Sequence, residues 1–417
     1  MSWIQHARRG TWATRDRVLP AAIMALVTYC FLLVVLFLAP GKLSTPDLSA
    51  TTNDFLSFWV AAKSAVQGDP VTPYVIKDFA LLQQESLGEG RFYSFFYPPV
   101  FLLYLLPLGV LSGVAAYFAF QIVTIIATGA SLSAILGSRY GFLLAAALPL
   151  TMTNAVYGQN GMLSAAFLGA ALAALAVRRE ILAGFFIALL IYKPQLGTLI
   201  PFALIAGGHW RTFASASVCG LLLIGLSVLV LGGDAWLAFW EQREFASSVV
   251  AEGLVDLHKF ISISAGAGML GAPSWLAYGL QAIVSLSVLA LVVGTWNRRS
   301  VDFADKAAVL TAGSLLATPF ALCYDFAILC VPIAFFMARR KRQGAADWED
   351  GLMFLTVLLA TISRVVGEMS SIPLGPLACL VFLAIPLRRI VLGSGVGKNQ
   401  SPSITGGISS RSRSLNG

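Results

Sequence analysis

The sequence predicts an all-α, polytopic transmembrane helical bundle, and three observations predict it. Hydrophobic residues make up 58% of the 417 positions and charged residues only 12%, against about 25% charged in soluble globular chains. The apolar residues come in long unbroken runs instead of alternating, which is the pattern of spanning helices and not of barrel strands. The net charge of +8 comes from small basic clusters set between these runs, as in loops that obey the positive-inside rule; it does not describe a nucleic-acid-binding surface. A mean hydropathy of +0.80 fits roughly ten to twelve spans of about 20 residues each.

The elements follow in order. Residues 1–17 are polar and basic, with Arg8, Arg9, Arg15 and Arg17, and read as a cytoplasmic N-terminus. The apolar run Val18–Ala39 is long enough to span, and no small-residue cleavage site follows it. Residues 40–96 then form a first extracytoplasmic loop. Within it, Phe55, Phe58, Trp59 and Ala62 recur at three- and four-residue steps, so a short amphipathic helix is expected there, lying at the membrane surface. Asn53 or Asp54 heads that helix. Asp54 reads either as an N-cap or as the catalytic carboxylate of a membrane enzyme. A second helical piece, Ile76–Leu87, precedes the aromatic belt Phe92–Tyr97, and Pro98-Pro99 set the entry of the next helix.

Apolar runs follow at Val100–Leu111, Val114–Leu136 and Phe142–Val156, then the polar break Tyr157-Gly158-Gln159-Asn160-Gly161, then Met162–Val177. The run Ile181–Ala206 is interrupted by Lys193-Pro194-Gln195. With Asp54 outside and Arg139 and Arg178-Arg179 inside, one short run must be re-entrant: Val100–Leu111, or one half of Ile181–Ala206. Phe213–Leu231 spans, residues 232–261 form a second polar loop, and Trp275–Trp296 spans again. Ala307–Leu316, Phe326–Met337, Leu352–Ile362 and Leu374–Leu387 complete one membrane domain, 18–392. Arg339–Arg342 is a cytoplasmic basic run, and the Gly/Ser-rich stretch 393–417 reads as a disordered basic tail.

Charges inside apolar segments cost about 3 kcal/mol or more at mid-membrane, so each needs a partner, water or a task. Lys193 reads as an anion or substrate contact or as a snorkelling side chain. Asp325, after the Thr318-Pro319 break, reads as a functional acid or a local cap or pair. Arg364 and Glu368, four apart, read as a helical ion pair. His258-Lys259 can hold a phosphate without a metal, or be an ordinary loop pair. His6 and His209 sit in basic flanks with no specific role. The five cysteines lie in apolar runs without metal spacing and read as inert thiols. No HExxH, CxxC or DxD occurs; no cofactor or metal is expected.

The order of motifs is informative: Asp54-Phe55 in the first loop, Gly68-Asp69-Pro70-Val71-Thr72-Pro73-Tyr74, Phe96-Tyr97-Pro98-Pro99, Tyr157–Gly161, Arg178-Arg179-Glu180, Tyr192-Lys193-Pro194-Gln195, Trp210-Arg211, Thr318-Pro319-Phe320 and Tyr324-Asp325-Phe326. In this order the chain resembles glycosyltransferase family 87 of the GT-C superfamily. The resemblance implies a GT-C type fold. It also implies an inverting enzyme that moves a hexose, usually mannose, from a polyprenyl-phosphate carrier to a lipid or glycan acceptor on the extracytoplasmic face. That setting would be a bacterial inner membrane. In such enzymes an aspartate in the first outer loop is the general base, and Asp54 matches that position. Gln159, Lys193, His258, Lys259 and Asp325 are the expected donor-phosphate or substrate contacts. A polytopic lipid or glycan transporter or flippase and a polysaccharide ligase or polymerase remain alternatives.

Overall fold

The computed structural model describes residues 3–10, 12–38, 53–87, 92–251, 256–344 and 346–396. The parts of the first loop at 40–52 and 88–91, residues 252–255 of the second loop and the expected tail from 397 onward lie outside the described residues; the tail's residues 393–396 belong instead to the last helix. The described residues form twenty α-helices and no strand. They are α1 (Trp3–Arg9), α2 (Arg15–Leu38), α3 (Asn53–Val66), α4 (Ile76–Leu87), α5 (Pro99–Gly109), α6 (Gly113–Leu136), α7 (Tyr140–Ala147), α8 (Pro149–Val156), α9 (Gly161–Ala176) and α10 (Glu180–Ala188). They continue with α11 (Pro194–Gly197), α12 (Ile200–Ala206), α13 (Trp210–Leu231), α14 (Gly233–Ala251), α15 (Ile263–Met269), α16 (Ser274–Asn297), α17 (Phe303–Ala317), α18 (Cys330–Gln343), α19 (Glu349–Ser370) and α20 (Leu374–Val396). Among the described residues, five helices are long and apolar enough to cross a membrane: α6, α13, α16, α19 and the part of α20 up to Val391. This is a polytopic helical membrane bundle.

The helix expected at the membrane surface is α3, but protein encloses it: Leu56, Ser57, Val60, Ala61 and Ser64 are buried along with Phe55, Phe58 and Ala62. Its apolar face closes into an aromatic core with α5 and α6. Phe58 sits edge-on to Phe101 at 5.0 Å, and Phe55 edge-on to Tyr117 at 5.5 Å. Such pairs add about 0.5–1.5 kcal/mol each beyond area burial. Phe55 and Phe58 are fully buried, so the start of α3 is fixed in place, and Asp54 with it.

The short run Val100–Leu111 becomes α5, which packs against α3. It starts beside Phe58 and ends with Gly109 against the Ala62 carbonyl, so it runs parallel to α3. The Trp59 indole N–H donates to the Leu111 carbonyl at 3.0 Å, and the chain turns back into α6, whose Phe120 meets Phe55 at 5.7 Å. The other candidate for re-entry, Ile181–Ala206, is a hairpin. Its far ends meet where Glu180 lies 3.5 Å from His209, and its apex is the broken turn at Lys193. His209, expected to do nothing specific, therefore helps close this hairpin.

Two features were not legible in advance. The second polar loop contains α14, a 19-residue helix. The basic run Arg339–Arg342 is only half solvated: Lys341 and Arg342 are exposed, while Arg339 is 1% exposed. Arg339 sits between Asp305 (3.1 Å) and Glu349 (2.6 Å), and Arg389 approaches the same two carboxylates. Arg340 pairs with Asp350. Acids that start α17 and α19 meet the end of α18, so the cluster neutralises itself where four helices converge.

Candidate active site

The site is assembled where α3, α8, α9, α11 and α19 meet the segment between α17 and α18. Gly158 makes the approach possible. It sits at φ +64°, a conformation that L side chains rarely adopt, and a Cβ there would lie 2.5 Å from the Phe55 Cβ. The turn it forms brings Gln159 to Asp54. The Gln159 amide donates to the Asp54 carboxylate at 2.8 Å, and the Tyr97 hydroxyl donates to the Gln159 carbonyl at 3.4 Å. The side-chain bond described for Asp54 is therefore to Gln159, across 105 residues, and not to its own helix N-terminus. Asp54 is half-buried. Burial pushes its carboxyl above the ordinary carboxylate range; the Gln159 bond and the nearby charges of Arg364 and Lys259 pull the other way without cancelling it.

Lys193 and Asp325 meet each other. The lysine ammonium donates to Asp325 at 2.5 Å and to the Asn160 side-chain carbonyl at 2.9 Å, and it lies 4.9 Å from the centre of the Tyr324 ring. The second Asp325 oxygen accepts from the Leu322 N–H at 3.1 Å. Lys193 is 1% exposed and Asp325 fully buried. Lys193 therefore does not snorkel; a buried acid holds its ammonium. The physical reason is the break on each side. Pro194 ends α10 and its turn, the residues after Thr318 leave α17, and both breaks open at the same depth.

His258 and Lys259 arrive from the second loop. Phe260 bridges antiparallel to Leu322, and the Ile261 N–H donates to the Ala321 carbonyl at 3.0 Å, which ties this loop to the Asp325 segment. Lys259 pairs with Asp256 at 2.8 Å, and that bond holds the Asp256 carboxyl below its ordinary range. His258 packs against Gly367 of α19, where a Cβ would come within 2.9 Å of it.

Sequence reasoning missed Arg364 in the site. It was expected to pair with Glu368, yet no such ion pair occurs among the described residues, and its guanidinium lies 4.0 Å from the centre of the Tyr157 ring. A single arginine late in an apolar helix was the available signal. Tyr97, Asn160 and Tyr324 were also missed as neighbours. They stand beside residues that were named, in the same short motifs, but their reach depends on how distant segments meet. No group of three His, Cys, Asp or Glu side chains that could hold a metal occurs among the described residues.

Fold and site define the class first: an integral membrane protein of helices, with a half-buried carboxylate bonded to Gln159 and within the electrostatic reach of Arg364 and Lys259. The sequence model of glycosyltransferase family 87 matches residues 95–366. The chain belongs to glycosyltransferase family 87, and its all-helical membrane architecture is consistent with the GT-C superfamily. The matched region contains Gln159, Lys193, His258, Lys259, Asp325 and Arg364; Asp54 lies ahead of it. No curated protein and no solved structure matches the chain.

Proposed function

We propose that this glycosyltransferase moves a hexose, mannose by its family resemblance, from a polyprenyl-phosphate carrier to a lipid or glycan acceptor, with inversion at the anomeric carbon. The observation that carries this reading is the placement of Asp54: a carboxylate aimed by Gln159, made more basic by burial, and lying near positive charge. In the reaction the acceptor hydroxyl attacks the anomeric carbon and Asp54 takes its proton. The bond from that carbon to the phosphate oxygen breaks, and the electron pair leaves with the phosphate. A raised affinity for a proton suits a general base, and cationic groups suit the departing phosphate. His258 and Lys259 serve there. Lys193 and Asp325 hold together the two chain breaks beneath the site and so support Asn160 and the segment that anchors the second loop. The chemistry falls on the extracytoplasmic face of a bacterial inner membrane, with the N-terminus in the cytoplasm.

The test is transfer of radiolabelled sugar from a polyprenyl-phosphate donor by membranes containing the protein, with Asp54→Asn at matched protein level. Wild type transfers, and the Asn variant falls by a factor on the order of 10² to 10⁴. Near-normal transfer by Asp54→Asn removes the carboxylate from the mechanism. Absence of transfer by wild type, with donor flux across the membrane instead, returns the protein to the transporter reading.

A further inference from the structure

We propose that Arg364 is a ligand of the departing lipid-linked phosphate, with Tyr157 as the platform that aims it; this rests on the donor class argued above.

Four observations converge on this. Arg364 lies near the end of α19, after a stretch running from Leu352 to Ser363 without a charge. A cation in such a segment is costly and needs a task. Among the described residues no carboxylate lies within ion-pair distance of it, although Glu368 is one turn away on the same helix. This sets it apart from Lys193, Lys259, Arg339, Arg340 and Arg389, each of which has an acid partner. Its guanidinium instead lies over the Tyr157 ring at 4.0 Å. Among the described residues Arg364 makes no hydrogen bond, so its N–H groups are left for other partners, and a guanidinium binds phosphate oxygens in pairs. Finally, Arg364 faces the site. Tyr157 begins the turn that carries Gln159, Gly367 one turn on packs against His258, and the charge of Arg364 acts on Asp54.

The chemistry follows from charge. The sugar-phosphate donor is a phosphodiester with a single negative charge. When the bond from the anomeric carbon breaks, the phosphate becomes a monoester and acquires a second charge. Arg364 therefore binds the leaving group more tightly as the reaction proceeds, and its removal lowers kcat more than it raises KM. Product-like lipid phosphates should depend on it directly.

The test uses the full chain purified in detergent, with farnesyl phosphate as probe, farnesol as its neutral control and inorganic phosphate as its lipid-free control. The variants are Arg364→Gln, Arg364→Lys, Tyr157→Leu and Tyr157→Phe, each checked for an unchanged thermal unfolding midpoint. Losing a charge-assisted bond is expected to weaken farnesyl phosphate binding about 10- to 150-fold in Arg364→Gln, with farnesol binding unchanged. Arg364→Lys recovers part of the loss, Tyr157→Leu weakens binding, and Tyr157→Phe binds as wild type. If Arg364→Gln does not fold, the Lys and Tyr157 variants carry the same comparison. Equal affinity of wild type and the folded Arg364 variants for farnesyl phosphate overturns the assignment. So does a wild type that binds farnesol or inorganic phosphate as tightly as farnesyl phosphate. Wild-type binding that depends on Arg364, without sugar transfer from the lipid donor, upholds the anion site and defeats the function proposed above.

Discussion

Lys193 and Asp325 provide the sharpest quantitative expectation. Both are out of contact with water, 2.5 Å apart. Taking charges out of water costs several kcal/mol per ion, which only their mutual attraction and added hydrogen bonds offset. Lys193→Met leaves the Asp325 carboxylate with the Leu322 N–H as its remaining described partner, and its cost should be about 3–5 kcal/mol. Asp325→Asn is milder, toward the lower end of that range, because the amide still accepts from Leu322 and the ammonium keeps Asn160 and the Tyr324 ring. The double variant removes both charges, so its cost should fall short of the sum of the single costs by at least ~2 kcal/mol. Unfolding in detergent with increasing dodecyl sulfate can follow the reactivity of Cys323, Cys330 and Cys379, all buried in the fold, in a Cys30→Ser, Cys219→Ser background. Single-variant costs under about 1 kcal/mol that simply add would describe an exposed, weakly coupled pair and refute the reasoning. In that case Lys193 becomes available again as a phosphate ligand.

Two further expectations follow. Burial raises the Asp54 carboxyl above its ordinary range, so the fold favours its protonated form. The stability this contributes is fully present below the unfolded carboxylate value and is lost as pH rises through the folded one. Asp54→Asn mimics the protonated form; thermal unfolding should show it at least as stable as wild type at neutral pH, with the difference closing near pH 4, and a variant less stable at neutral pH would contradict the burial argument. For topology, an impermeant thiol reagent applied to intact cells should label Gln67→Cys and Asp256→Cys but not Arg342→Cys; the reverse pattern would turn the bundle over and put the site in the cytoplasm.

Membrane helices are legible in sequence because the lipid demands it: a span must satisfy its own backbone and present apolar side chains for about 20 residues, and both demands are local. Hence the apolar runs at Val114–Leu136, Phe213–Leu231 and Trp275–Trp296 fall within one to three residues of α6, α13 and α16. The candidate residues were legible for the same reason, since a charge in or beside an apolar run stands out. Their partners were not. Asp54 finds Gln159 across 105 residues and Lys193 finds Asp325 across 132, while Arg364 leaves the neighbour four residues away for a tyrosine more than two hundred residues upstream. The order of residues along a helix determines which of them can share a face. Which faces meet is decided by packing: Gly158 admits Phe55, Gly109 lies against Ala62, and Phe260 bridges to Leu322. A buried charge takes the partner that this packing brings to its own depth in the bundle, whatever its distance along the chain.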